Sequence, residues 1–286
     1  MTLRSYATAP REPCQNRNIA ALNGLVVCHK VALAEPFGSV TASVEVIEED
    51  SQHFNKVRVL ILKLFLIVMV KENLQVILNE IENGNHFGEK VTLVGATKFM
   101  PVELINEAID NGLLDIAENR AQEFKDKFPL VHQPVNYHFI GHLQKNKVKY
   151  LIGKCHLIQS VDTIDLLDEI NRQSLNKEVV SNVLLEVNLG EEQKHGFQFS
   201  EVENALSYAL TLKGVKVLGL MAMLPESDDE ELLFNLSKSL RALYDEFKEK
   251  YSFTTLSLGM SNDYKIAIKA GSNMIRVGSK IFGKRY

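Results

Sequence analysis

From Met69 onward the chain repeats one pattern eight times: a short, nearly continuous apolar run, then a stretch with helical periodicity. The runs are Val91–Ala96, Leu114–Ala117, Tyr137–Ile140, His156–Gln159, Asn182–Asn188, Val215–Leu220, Thr254–Leu258 and Met274–Val277. Strands apolar on both faces belong to a parallel sheet covered by helices, because only that arrangement hides both faces from water. Eight such units predict an α/β fold, a closed (β/α)8 TIM barrel, with an open doubly wound sheet as the alternative. Residues 69–286 suffice for it, since a compact barrel takes about 200–250 residues.

The stretches between the runs carry helix signals. Leu74, Ile77, Leu78 and Ile81 share one face of a helix over 72–83. Pro101 opens a helix over 102–111, and Gly112 ends it. Further helices are expected over 120–127, 144–151, 163–174, 200–212, 230–251 and 264–270, with a short turn at 280–283. Ser200 and Glu203 predict a capping box for the helix over 200–212. "PESDDEE" (225–231) reads as a solvated loop running into an acidic helix start, which suits the helix dipole.

Residues 1–68 lack this rhythm. "TAPREPCQNRN" is turn-like, and "ALAEPFGSVTASVEVIEEDSQHF" holds at most a short strand. This segment is expected to be a poorly ordered N-terminal extension, with the domain beginning at Met69 and the upstream start mis-assigned. The apolar run from Val57 to Val70 is broken by Arg58 and Lys63, and it falls short of the about 20 residues a spanning helix needs. It also lies too far from Met1 for a signal peptide.

Composition narrows the partners. The net charge of -4, with no basic cluster interleaved with aromatics, gives no footprint for nucleic acid. Cys14, Cys28 and Cys155 form no CxxC pair, which argues against structural zinc or a disulfide framework and for a reducing, cytoplasmic setting.

A barrel carries its active site at the C-terminal ends of its strands. There the sequence places Thr97 and Lys98 on strand 1, Glu118 and Asn119 on strand 2, and Gly141 and His142 on strand 3, with His138 inside it. Strand 5 leads to Asn188, Lys194 and His195, and strand 6 to Met221 and Met223. Strand 7 leads to Ser257, Gly259, Met260 and Ser261, and strand 8 to Arg276, Gly278 and Ser279. "SLGMS" and "RVGSKIFG" supply glycines and hydroxyls just before short helical turns, the composition of a phosphate site. Strand 1 closes beside strand 8, so Lys98 lies near that phosphate. A lysine there fits a Schiff base with an aldehyde-bearing phosphate, either pyridoxal 5′-phosphate or a phosphorylated sugar in an aldolase-type reaction. His138 on an apolar strand also reads as a satisfied core histidine, and Met221 and Met223 as core fillers.

The stretches "LVGATK", "AENRAQE", "YHFIGHLQKNK", "VNLGEEQKHGF", "GLMAM" and "LSLGMSNDYKIAIKAGSNMIRVGSKIFGKR" occur in order over the barrel. Together they resemble the pyridoxal phosphate homeostasis protein family, the proline-synthase-associated group. The resemblance implies the pyridoxal phosphate barrel of fold type III without its second β domain, with the cofactor on Lys98 as an internal aldimine. It implies Ser257, Ser261, Gly278 and Ser279 around the phosphate, Arg276 facing the pyridine nitrogen, and Asn119 and His138 lining the pocket. Ala117 stands where the family has glycine, and Ser279 where threonine is common. The resemblance further implies a monomeric cytoplasmic carrier that supplies the cofactor to apo-enzymes rather than an enzyme. The rival is an amino-acid racemase of the alanine racemase type. That enzyme has a further domain supplying an opposing tyrosine, and this chain runs only a few residues past strand 8.

Overall fold

The computed structural model describes residues 19–22, 25–31, 42–45, 51–190 and 195–283, with side chains described from Val59 onward; Cys14 and Lys194 lie outside the described residues. The chain divides into two compact units, Met1–Ile61 and Leu62–Tyr286. In the first, strands Ile19–Leu22, Leu25–Val31 and Ala42–Glu45 form a three-stranded antiparallel sheet.

The second unit is a closed parallel barrel of eight strands: β1 (Thr92–Ala96), β2 (Asp115–Glu118), β3 (Asn136–Phe139), β4 (Leu157–Val161), β5 (Ser181–Glu186), β6 (Val215–Met221), β7 (Thr255–Ser257) and β8 (Met274–Val277). The sequence-based runs match these strands to within a few residues. β8 closes onto β1, with Arg276 opposite Val94 and Val277 opposite Gly95. Val94, Ala117, Leu157, Leu184, Met221 and Met274 pack inside the barrel, and Met223 leans against them. Both methionines are thus fillers of the inner core. A larger apolar layer joins the outer faces of the strands to the helices.

Helix Ser51–Ile81 begins well upstream of the expected 72–83 and runs straight through Met69. Leu60, Leu62, Leu64 and Val68 on it are exposed, whereas Val70, Leu74, Ile77 and Ile81 are buried. The fully buried positions on this helix therefore begin at Val70, with Met69 already lying against Gly283. Among the described residues, no helix is long and apolar enough to cross a membrane.

Two local expectations are corrected. The segment expected as a helix over 144–151 is a 3-10 helix, Lys145–Tyr150, in which Lys147 N–H donates to the Gln144 carbonyl at 2.9 Å. The helix expected over 200–212 is Phe199–Ala209, and its capping pair sits two residues earlier: the Glu201 carboxylate accepts from Gln198 N–H at 2.8 Å. The cause lies upstream. Phe197 N–H donates to the Glu186 carbonyl at 2.8 Å, so the chain stays tied to β5 until Phe197 and then turns at once into the helix. Glu203 is left to pair with Lys250 at 2.7 Å. Two other helices carry side-chain caps. Thr163 Oγ1 accepts from Leu166 N–H at 3.3 Å. Asp229 Oδ1 accepts from Leu232 N–H at 3.0 Å, so the acidic loop does start the helix Glu230–Tyr251.

The barrel's lower rim is held by charge. Glu89 accepts from Arg241 Nη1 at 2.6 Å, from Lys248 Nζ at 2.9 Å and from Asn85 Nδ2 at 2.9 Å. Burial alone would raise its carboxyl, but these donors outweigh burial and bring it to about 2 from an ordinary 4.5. A carboxyl lowered on folding contributes stability above its unfolded value and loses it as protonation begins. Denaturant unfolding should therefore show Glu89 stabilising the fold above about pH 4.5, with the contribution fading toward pH 2. Glu89→Gln should flatten that acid limb.

Candidate cofactor site

Lys98 follows β1 directly and is half-buried at the barrel mouth. The backbone on both sides of it is fixed. Thr97 N–H donates to the Ala117 carbonyl at 2.9 Å, and the Thr97 carbonyl accepts from Lys127 Nζ at 2.9 Å. Phe99 has a positive φ of 63°, a conformation that a bulky residue adopts only under constraint. Glu123 provides the constraint by accepting from Phe99 N–H at 2.9 Å. Beneath this turn Glu118 is fully buried and accepts from Thr97 Oγ1 at 2.7 Å and Lys127 Nζ at 2.8 Å. Burial raises the Glu118 carboxyl despite those two donors.

Asn119 comes next on β2. A Cβ on Gly141 would lie 2.1 Å from the Asn119 carbonyl oxygen, so only glycine lets the end of β3 press against Asn119. Asn119 Oδ1 is buried without a hydrogen-bond partner among the described residues. A polar atom left unmet at a barrel mouth suits a ligand with polar ring substituents. Gly278 lies against Ala96, where an added Cβ would come within 3.1 Å of the Ala96 carbonyl. This brings the loop after β8 to the same strand end as Lys98. Ser261 Oγ accepts from Gly278 N–H at 3.2 Å and joins the loops after β7 and β8. Ser279 is exposed at the first residue of the helix Ser279–Phe282.

Arg276 is 4 % exposed, on the inner face of β8. Its Nη1 donates to Ser257 Oγ at 2.6 Å and its Nη2 to the Ala222 carbonyl at 2.8 Å. Burial lowers its guanidinium to about 10, partly offset by Glu186 and Asp263, so it remains a cation at neutral pH.

Ser257 and His138 are both buried and are joined to each other through Gln159. Ser257 is fully buried and donates its hydroxyl hydrogen to Gln159 Oε1 at 2.6 Å. Gln159 Nε2 meets His138 Nδ1 at 2.9 Å, and His138 Nε2 meets Asp115 Oδ1 at 3.0 Å. His138 is 1 % exposed, and both of its ring nitrogens have partners. Burial alone would raise the Asp115 carboxyl, but the hydrogen bond from His138 brings it below its ordinary value. A polar chain thus crosses the barrel from Arg276 through Ser257, Gln159 and His138 to Asp115. Ala222 falls within "GLMAM", whereas Gln159 and Asp115 lie outside the family-type stretches; a glutamine beside a serine in "LIQSV" was the one sequence signal for the first of these.

On the opposite side of the mouth are Glu186, Asp162, His142 and His195. Burial together with the charge of Asp162 raises the Glu186 carboxyl to about 7, against the opposing pull of Arg276 and His142.

The alanine racemase N-terminal domain family matches residues 96–285. A pyridoxal phosphate homeostasis protein of Aquifex aeolicus is 42 % identical over 197 residues, covering 68 % of this chain and 86 % of that protein. The Escherichia coli protein of that name is 32 % identical, covering 69 % and 87 %. Among solved structures, PipY of Synechococcus elongatus with PLP bound is similar at a TM-score of 0.68 and 27 % identity, covering 75 % of this chain and all of that one. Alanine racemase of Clostridium difficile, at 16 % identity and a TM-score of 0.62, shares the fold; the match covers 75 % of this chain and 60 % of the racemase. On sequence identity and coverage alike, this chain belongs to the pyridoxal phosphate homeostasis protein family.

Proposed function

We propose that the barrel, residues 69–286, binds pyridoxal 5′-phosphate and serves as a carrier of it, holding the aldehyde as a Schiff base on Lys98 and supplying it to apo-enzymes. The observation that carries this reading is the convergence of Lys98, Asn119, Arg276 and the Ser261–Gly278 link on one mouth of the barrel. When bound, the aldehyde supplies an electrophilic carbon whose bond to an amine is covalent yet reversible. The chain's own residues do the rest. Asn119 meets the ring's polar edge, while Ser261, Gly278 and Ser279 sit around the phosphate. Arg276 faces the ring nitrogen. A guanidinium is a donor and never an acceptor, so it leaves that nitrogen unprotonated and the ring a weak electron sink. Ser257 and His138 act from below, by holding Arg276. Such a site binds without driving turnover, in a monomeric cytoplasmic protein.

The test is spectroscopic and then chemical. The purified protein should absorb near about 420 nm, and borohydride should fix that cofactor to the chain. Incubation with single enantiomers of alanine and other amino acids should leave their chirality unchanged. Racemisation at an enzyme-like rate of about 1–1000 s⁻¹ would overturn the carrier in favour of a racemase.

A further inference from the structure

We propose that His142, Asp162 and His195 form a binding site for a divalent d-block cation, with zinc the best chemical match. The three come from separate strand ends: His142 after β3, Asp162 after β4, and His195 from the loop after β5. They lie on strands other than those of Lys98, Asn119 and Arg276, and the inference does not depend on the cofactor reading.

The distances suit a metal. His142 Nδ1 and His195 Nδ1 lie 3.1 Å and 3.4 Å from the same oxygen, Asp162 Oδ2. The ligand atoms of all three residues fall within 4.8 Å of one another. Bonds of about 2.0–2.2 Å in a tetrahedron put neighbouring ligand atoms about 3.3–3.6 Å apart. The two imidazoles stack at 4.0 Å with 16° between their planes, which turns both Nδ1 atoms toward that one carboxylate. Both rings are about half exposed, so small rotations can bring their lone pairs together on an ion.

Charge points the same way. The Asp162 side chain is 5 % exposed, and the buried Glu186 carboxyl lies close enough to be raised by it. The permanent cation acting on Glu186 is Arg276, already committed to Ser257 and Ala222. A bound dication would settle the repulsion between the two carboxyls. Two imidazoles and one carboxylate favour zinc and its d-block neighbours over magnesium or calcium, which take all-oxygen shells. The exposed rim leaves room for water as a fourth ligand.

The test uses the full-length, untagged chain with its cofactor, stripped with chelator and exchanged into chelator-free buffer. Calorimetric titration with zinc chloride should show one ion bound per chain, undisturbed by excess magnesium. His142→Ala and His195→Ala should each weaken binding by at least about tenfold, since loss of even an outer-shell partner costs that much. Circular dichroism should be unchanged, because both side chains are half exposed. Cobalt(II) should give a visible d–d band in the parent and not in the variants. Absence of saturable binding, or equal affinity in the parent and both variants, would overturn the site.

Discussion

Lys98→Ala should yield a folded, colourless protein. The band near about 420 nm should vanish entirely, and borohydride should fix no cofactor to the chain, because the bond to the aldehyde has one source of nitrogen in this reading. The fold should survive. Lys98 is half-buried and follows β1 rather than lying within it, and its neighbours Thr97 and Phe99 are anchored through backbone groups. The change in unfolding free energy should thus stay within about 1 kcal/mol. Lys98→Arg is the informative companion. It keeps the cation and most of the length but cannot form the bond, so it separates charge attraction for a phosphate from covalent capture. Equilibrium dialysis should show that both variants still bind the cofactor weakly through the loops after β7 and β8. A variant at position 98 that kept the visible band would remove Lys98 from the proposal.

Much of this was legible in the sequence because a barrel strand must be apolar on both faces. "LVGA", "VLLEV" and "MIRV" have no other comfortable place in a soluble fold, and all eight such runs became strands. Helix starts were harder to read. Ser200 and Glu203 form a fine capping pair on paper, but the tie between Phe197 and Glu186 made the chain turn earlier, and only tertiary structure contains that tie. At the site, residues past the strand ends could be placed from the strand count alone. Lys98, Asn119, Ser261 and Gly278 are of this kind. Residues within the strands could not, because a buried serine or histidine can face a ligand or a neighbour, and sequence does not say which. Ser257 and His138 bond through Gln159, which no motif marked. Likewise His142 and His195 stood out only as strand-end residues, some fifty positions apart, until the fold stacked their rings.

The buried chain beneath Arg276 should be costly to break. Its donors run in one direction. Arg276 gives to Ser257, Ser257 to the Gln159 carbonyl, the Gln159 amide to His138 Nδ1, and His138 Nε2 to Asp115. This order closes when His138 carries its proton on Nε2, and every intermediate group is then both donor and acceptor. Gln159 is fully buried, so water cannot replace what it supplies. Gln159→Leu conserves volume but leaves the Ser257 hydroxyl without an acceptor and His138 Nδ1 without a donor. At about 1–3 kcal/mol for each buried group left unmet, the variant should lose roughly 2–6 kcal/mol of stability. Ser257→Ala likewise leaves two buried groups unmet, Gln159 Oε1 and Arg276 Nη1, and should let the guanidinium move. In the cofactor-loaded protein that motion should shift the pH profile of the visible band, which a purely structural loss would not do. Because both side chains belong to one network, the double variant should lose less than the two single losses combined, with a coupling of about 0.5–3 kcal/mol. Chemical denaturation of the four proteins measures it. Additive losses and an unmoved pH profile would mean that Arg276 is held by the Ala222 carbonyl alone, and that the chain to Asp115 only fills the barrel.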